Sequence, residues 1–150
     1  MASEPMNQDL TSVLVVEDER HIASFLEFVL KRAGYEVAVV YDGEQALAAV
    51  EAFAPDAMLL DLMLPGLTGL EVLKRLRADP RYASLVIMVL SGRSFGDVPA
   101  EVMEAGANEY CTKPIGPSTL LKKLADLGVP PVARTPRPSS LPEGVAEGNG

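Results

Sequence analysis

The chain has 150 residues, 48% of them hydrophobic, enough to build the core of one domain and hardly enough chain for two. Its formal net charge of −8 argues against direct nucleic-acid binding, which needs a basic face. The one cysteine, Cys111, excludes an internal disulfide, and no apolar run nears the roughly 18 residues needed to span a membrane.

Residues 1–11 are polar and are expected to be flexible. They show no basic stretch followed by an apolar one, so no secretory signal is read and a cytoplasmic chain is expected. "SVLVV" at 12–16 is a short β-branched run and reads as a buried strand. A helix over about 20–33 places Ile22, Phe25, Leu26 and Val29 on one face, and Gly34 ends it. "EVAVV" at 36–40 is a second strand, and Asp42-Gly43 turns the chain into an alanine-rich helix over 43–53. "AMLL" at 57–60 is a third strand, followed by a helix over 68–78 with Leu70, Leu73 and Leu76. "LVIMVL" at 85–90 is a fourth strand, and a helix near 98–105 carries Pro99 in its first turn, where a missing N–H does little harm. "NEYCT" at 108–112 is a short fifth strand with Cys111 as a packing residue, and a last helix over 117–127 carries Leu120, Leu121 and Leu124.

Five strands thus alternate with five helices, and strands 1, 3 and 4 are apolar nearly throughout, as strands covered on both faces should be. The pattern predicts an α/β domain over 12–127: a doubly wound, five-stranded parallel sheet of flavodoxin-like type. From Gly128 the composition turns to Pro, Gly and Ser, so 128–150 is expected to be a disordered tail.

In such a sheet, ligands sit outside the carboxyl ends of the strands. Strand 1 runs into Glu17 and Asp18, strand 3 into Asp61, strand 4 into Ser91 and strand 5 into Lys113. With the common strand order 2-1-3-4-5, strands 1 and 3 are neighbours and the three carboxylates cluster. Each close pair of like charges costs about 4 kcal/mol at 4 Å and an effective dielectric near 20. A hard divalent cation, Mg²⁺ or Mn²⁺, relieves that repulsion. The metal, an ammonium group and a hydroxyl would then all face anionic oxygens, as a phosphoryl group requires. Asp61, alone in the apolar run "MLLDLMLPG", is the expected acceptor, since a carboxylate can form an acyl phosphate.

The stretches "VLVVEDE", "LLDLMLPGLTGLEVL", "VLSGR" and "GANEYCTKP", in this order, resemble the receiver domain of bacterial two-component response regulators. The resemblance covers about residues 12–127. It implies that Asp61 takes a phosphoryl group from a sensor histidine kinase or a histidine phosphotransfer protein. It also implies that Glu17, Asp18, Asp61 and the Met63 backbone carbonyl hold the metal. Ser91 and Lys113 then contact the phosphoryl oxygens, and Tyr110 is an aromatic switch that follows Ser91. A protein target would read the face formed by helix 4, strand 5 and helix 5. No separate substrate turnover is expected: the domain phosphorylates itself and removes its own phosphoryl group, with Met63 and Arg93 flanking the acceptor. The segment around Phe95 is less charged than in most relatives, and Ile115 replaces the usual aromatic after Lys113-Pro114. Only the short tail follows the fifth helix, so a stand-alone regulator that works by protein contact is expected. One alternative is a receiver-like binding module that works without phosphate. Another is a haloacid-dehalogenase-type phosphatase, which needs a second Asp where Met63 stands.

Overall fold

The computed structural model describes residues 10–92 and 98–132. Five short runs, β-branched in β1, β2 and β4 and rich in Leu and Met in β3, form β1 (Ser12–Val16), β2 (Glu36–Val40), β3 (Ala57–Asp61), β4 (Val86–Ser91) and β5 (Glu109–Thr112). They pair in parallel in the order β2-β1-β3-β4-β5, as expected. Between and after them run α1 (Arg20–Ala33), α2 (Gly43–Phe53), α3 (Gly69–Arg77), α4 (Val98–Glu104) and α5 (Pro117–Asp126). A 3-10 turn at Pro80–Tyr82, which the sequence pattern does not announce, is capped by the Asp79 side chain accepting from the Arg81 N–H.

Alternation along the strands sorts side chains onto two faces. Leu14, Val16, Met58, Leu60, Ile87 and Val89 pack with α2, α3 and α4, whose Val50, Leu73 and Val102 are buried there. Val13, Val15, Leu59, Met88, Leu90 and Cys111 pack instead with α1 and α5, against Leu26, Leu30, Leu120 and Leu124. Continued past the strand ends, the same alternation puts Glu17, Asp61 and Lys113 on the side of α1 and α5. Ser91 and Tyr110 fall on the side of α4.

Local chemistry sets where the helices begin and end. Gly34 takes the left-handed conformation (φ 107°) and closes α1 with bonds back to Leu30 and Lys31. Thr68 and Glu71 form a reciprocal capping box at the start of α3. Gly69 lets that start press against the end of β3: a Cβ there would stand 2.3 Å from the Asp61 carbonyl oxygen. The Gly69 N–H donates to the Leu62 carbonyl at 3.0 Å across the same contact.

Two expectations are corrected. The buried face of α1 is formed by Ala23, Leu26, Val29 and Leu30, while Ile22 is half-buried and Phe25 is 45% exposed. Phe25 lies about 100° around the helix from Leu26 and so falls off the core stripe. The tail does not begin at Gly128. Val129 is buried and its carbonyl accepts from the Tyr35 hydroxyl at 2.6 Å. The Thr11 N–H donates to the Pro131 carbonyl at 3.1 Å, and Leu10 bridges Val132 in antiparallel fashion. These bonds satisfy backbone groups at both ends of the described chain. Residues 1–9 and 133–150 lie outside the described residues, as do 93–97 with Arg93 and Phe95.

Arg77, at the end of α3, ties four segments together. Its guanidinium donates to the carbonyls of Gly106 (2.8 Å), Tyr82 (2.7 Å) and Leu85 (2.7 Å) and to the Asn108 side chain (2.9 Å). Asn108 in turn accepts from the Ile87 N–H at 2.7 Å, at the start of β4. Arg77→Met keeps the aliphatic stem but orphans these acceptors, and is expected to lower stability by about 2–4 kcal/mol in urea unfolding. An unchanged unfolding midpoint would show that the network contributes nothing.

Candidate functional site

The carboxyl edge of the sheet brings the strand-end residues into one pocket. β1 and β3 are neighbours, so the chain leaving Val16 and the end of β3 lie side by side, Val16 pairing with Leu60. Carboxylate oxygens of Glu17, Asp18 and Asp61 lie within 4.8 Å of one another. Glu17 and Asp61 are 1% and 4% exposed, whereas Asp18 is open to solvent. Lys113 reaches in from the end of β5 and donates to Glu17 Oε1 at 2.6 Å, with its Nζ 3.4 Å from Asp61 Oδ1.

Backbone donors add to this pairing. Glu17 Oε2 accepts from the Glu19 N–H at 3.1 Å, and Asp61 Oδ1 accepts from the Met63 N–H at 3.2 Å. The Met63 side chain is exposed. Three carboxylates therefore face one ammonium group among the described residues, two of them withdrawn from water. The consequence falls on Asp61: burial, and next the nearby Glu17 charge, push its pKa up to about 6, against the opposing pull of Lys113 and the Met63 N–H. Lys113 is held above the ordinary lysine range; burial works against its charge, but the bond to Glu17 and the Asp61 charge outweigh it. An all-oxygen, acid-rich donor set of this kind could hold a hard divalent cation.

Ser91, fully buried, ends β4, and its carbonyl accepts from the Lys113 N–H at 2.7 Å. Tyr110 pairs with Val89 and packs half-buried on the α4 side. Its hydroxyl is buried without a hydrogen-bond partner. The peptide bond between Lys113 and Pro114 is cis. The structure thus gathers Glu17, Asp18, Asp61 and Lys113 in one pocket and sets Ser91 and Tyr110 on neighbouring strands behind it. Arg93 lies outside the described residues.

Sequence reasoning missed two features here. An apolar groove of about 250 Å³ opens beside Lys113, lined by Ile22 and Phe25 of α1 and by Pro114 and Ile115. Its signal was present, since α1 carries more apolar residues than one face can bury. A larger hollow, about 670 Å³, lies at the opposite edge of the sheet between Val50, Tyr82 and Leu127. Its charges are already committed, Arg81 to Asp79 and Glu51, and Asp56 to Ser12.

A family model described as response regulator receiver domain matches residues 13–125. The chain is 45% identical over 115 residues to the sensory transduction protein RegX3 of Mycolicibacterium smegmatis, covering 77% of this chain and 49% of the relative. It is 39% identical over 112 residues to the DNA-binding response regulator MtrA of Mycolicibacterium paratuberculosis, covering 75% and 48%. The chain spans about half the length of these relatives. Among solved structures, chemotaxis protein CheY4 of Vibrio cholerae superposes with a TM-score of 0.75 at 32% identity, covering 79% of this chain and 98% of that one.

The raised Asp61 pKa fixes the sign of a pH effect. With a folded value near 6 against an ordinary 3.8, the folded state holds this proton more tightly. Its contribution is intact below about pH 4 and is lost as pH rises through about 6, up to about 3 kcal/mol. In EDTA, Asp61→Asn is therefore expected to melt a few degrees above the native chain at about pH 7, with the gap closing near about pH 4. A gap independent of pH would mean that Asp61 carries no such burden.

Proposed function

From the premise that the chain belongs to the response regulator receiver domain family, we propose that Asp61 accepts a phosphoryl group from a phosphohistidine and that the phosphorylated domain signals by protein contact. The observation that carries this reading is the buried Asp61 carboxylate at the end of the central strand, flanked by Glu17, Asp18 and Lys113. A carboxylate oxygen of Asp61 forms a bond to phosphorus as the P–N bond of the donor breaks in line. Glu17, Asp18, Asp61 and the Met63 carbonyl would hold Mg²⁺ or Mn²⁺, which when bound supplies positive charge against the phosphoryl oxygens.

The chain's own residues do the rest. Lys113 exchanges part of its pairing with Glu17 and Asp61 for a phosphoryl oxygen. Ser91 donates its hydroxyl to another. The product carries close to two negative charges and three strong acceptors where one carboxylate stood. Ser91 is drawn toward it, and the ring of Tyr110, on the adjoining strand and the same side of the sheet, repacks in response. The face of α4, β5 and α5 changes with it, and a protein target reads that face. The two arrangements exist before phosphorylation and the new charge shifts their populations. As for response regulators generally, the place of action is the cytoplasm.

The groove beside Lys113 suits the donor. A histidine-bearing helix that packs apolar residues onto Phe25 and Ile115 brings its imidazole to the mouth of the pocket. A small donor such as acetyl phosphate has no use for this groove. Phe25→Glu is therefore expected to slow phosphotransfer from the cognate kinase about tenfold or more while leaving labelling by acetyl phosphate intact. Equal losses with both donors would assign Phe25 to the fold instead.

Asp61→Asn is expected to abolish the mass gain of one phosphoryl group on incubation with acetyl phosphate and Mg²⁺. Full labelling of that variant at the same site would remove Asp61 as the acceptor. Signalling retained in cells by Asp61→Ala would favour a binding module that works without phosphate.

A further inference from the structure

A cation at the first position of a helix is out of place, because the helix start carries partial positive charge and favours acids. Arg20 stands there in α1, directly after Glu17, Asp18 and Glu19. Asp18 and Glu19 are both exposed, and an arginine side chain is long enough to fold back on them. Yet among the described residues Arg20 forms no ion pair with either. Its guanidinium lies over the Tyr41 ring, 3.7 Å from the centroid.

Tyr41 is firmly placed for this. It follows β2, whose last residue, Val40, pairs with Val16 and accepts the Glu17 N–H at 3.1 Å. Its own N–H donates to Gln45 Oε1 at 3.0 Å, and the Gln45 N–H donates to the Asp42 carboxylate at 2.7 Å. The ring therefore stands at a capped helix start, beside the strand that delivers the acids. Arginine stacks well on an aromatic face. An exposed ion pair is weak by comparison, since it is screened and costs side-chain entropy. The two arrangements are close in free energy, and the presence of the ring decides between them.

We propose that Tyr41 is a positioning residue for the metal site: by holding Arg20 in a flat stack it prevents a guanidinium–Asp18 pair and leaves that carboxylate available to a divalent cation. This rests on the reading of Glu17, Asp18 and Asp61 as metal ligands. The stack does not touch the phosphoryl acceptor. Its effect is to remove a competitor from the one acid of the three that solvent reaches.

The test is isothermal titration of the intact chain with MgCl₂, beside melting curves in EDTA. Tyr41→Ala is expected to bind Mg²⁺ about fivefold more weakly, the factor that an ordinary exposed ion pair carries. That deficit relative to the native chain fades as salt rises to about 0.5 M. Tyr41→Leu, which keeps apolar bulk without a π face, is expected to be equally weak. Tyr41→Phe keeps the native affinity. Adding Arg20→Gln to Tyr41→Ala restores it, which a merely structural role of the ring would not allow. Unaltered affinity in both Tyr41→Ala and Tyr41→Leu, or a deficit that Arg20→Gln does not relieve, overturns the proposal. Asp18→Ala separates the two readings. Native-like Mg²⁺ binding there shows that the metal reading itself has failed. Sharply weakened binding there, with both Tyr41 variants unaltered, shows that only the role of the stack has failed.

Discussion

Lys113 is asked to satisfy two buried acids at once, and one ammonium group is not enough for both. Its closer partner is Glu17, at 2.6 Å, and Asp61 receives the remainder at 3.4 Å. Asp61 is thus left as the less compensated charge in a site that solvent barely enters. The frame around it fixes the backbone that carries it: β1 and β4 flank β3 in an apolar setting, and α3 presses through Gly69 against the Asp61 carbonyl. A site that begins with unrelieved negative charge gains from any cation or any reaction that redistributes that charge.

The geometry of the sheet divides the residues at its carboxyl edge between two sides. Acids and lysine gather on the side of α1 and α5, while Ser91 and Tyr110 fall on the side of α4, with β4 and β5 between them. The bond from the Lys113 N–H to the Ser91 carbonyl joins the two sets through the backbone. Tyr110 is half-buried with a hydroxyl that has been removed from water and given no partner in exchange. Such a group holds its position weakly, since leaving it restores a hydrogen bond.

Much of this was legible in the residue pattern, for physical reasons that differ by element. Strands covered on both faces must be apolar throughout, so β1, β3 and β4 announce themselves, and the ends of β1 and β3 point to the acids. The alternation of strands and helices points to a doubly wound parallel sheet, and the strand order found is the common one for that class. Helix faces were read less well. On α1, Ala23 and Leu30 belong to the core and Phe25 does not, because seven of nine residues over 22–30 are apolar and periodicity cannot choose among them. Arg77 carries no signature at all, since an arginine near a helix end is expected for the dipole alone, and of its four acceptors two follow soon after α3 while Gly106 and Asn108 come from a distant loop. The residues after Gly128 look like linker by composition. What holds residues 129–132 is the Tyr35 hydroxyl, the Thr11 N–H and the bridge from Leu10, which no local pattern reveals. The stack of Arg20 on Tyr41 was hidden for the same reason, being a contact between residues twenty-one positions apart.

The bridge between Leu10 and Val132 closes the described chain on itself at the amino edge of the sheet, one strand length away from the acidic pocket. A fluorescent reporter or a surface tether inserted next to Leu10 or Val132 is therefore attached at the edge of the sheet opposite the mouth where a donor must enter. The same closeness makes the two ends a natural place to splice, so a permuted chain with new ends in another exposed loop can preserve every strand pairing.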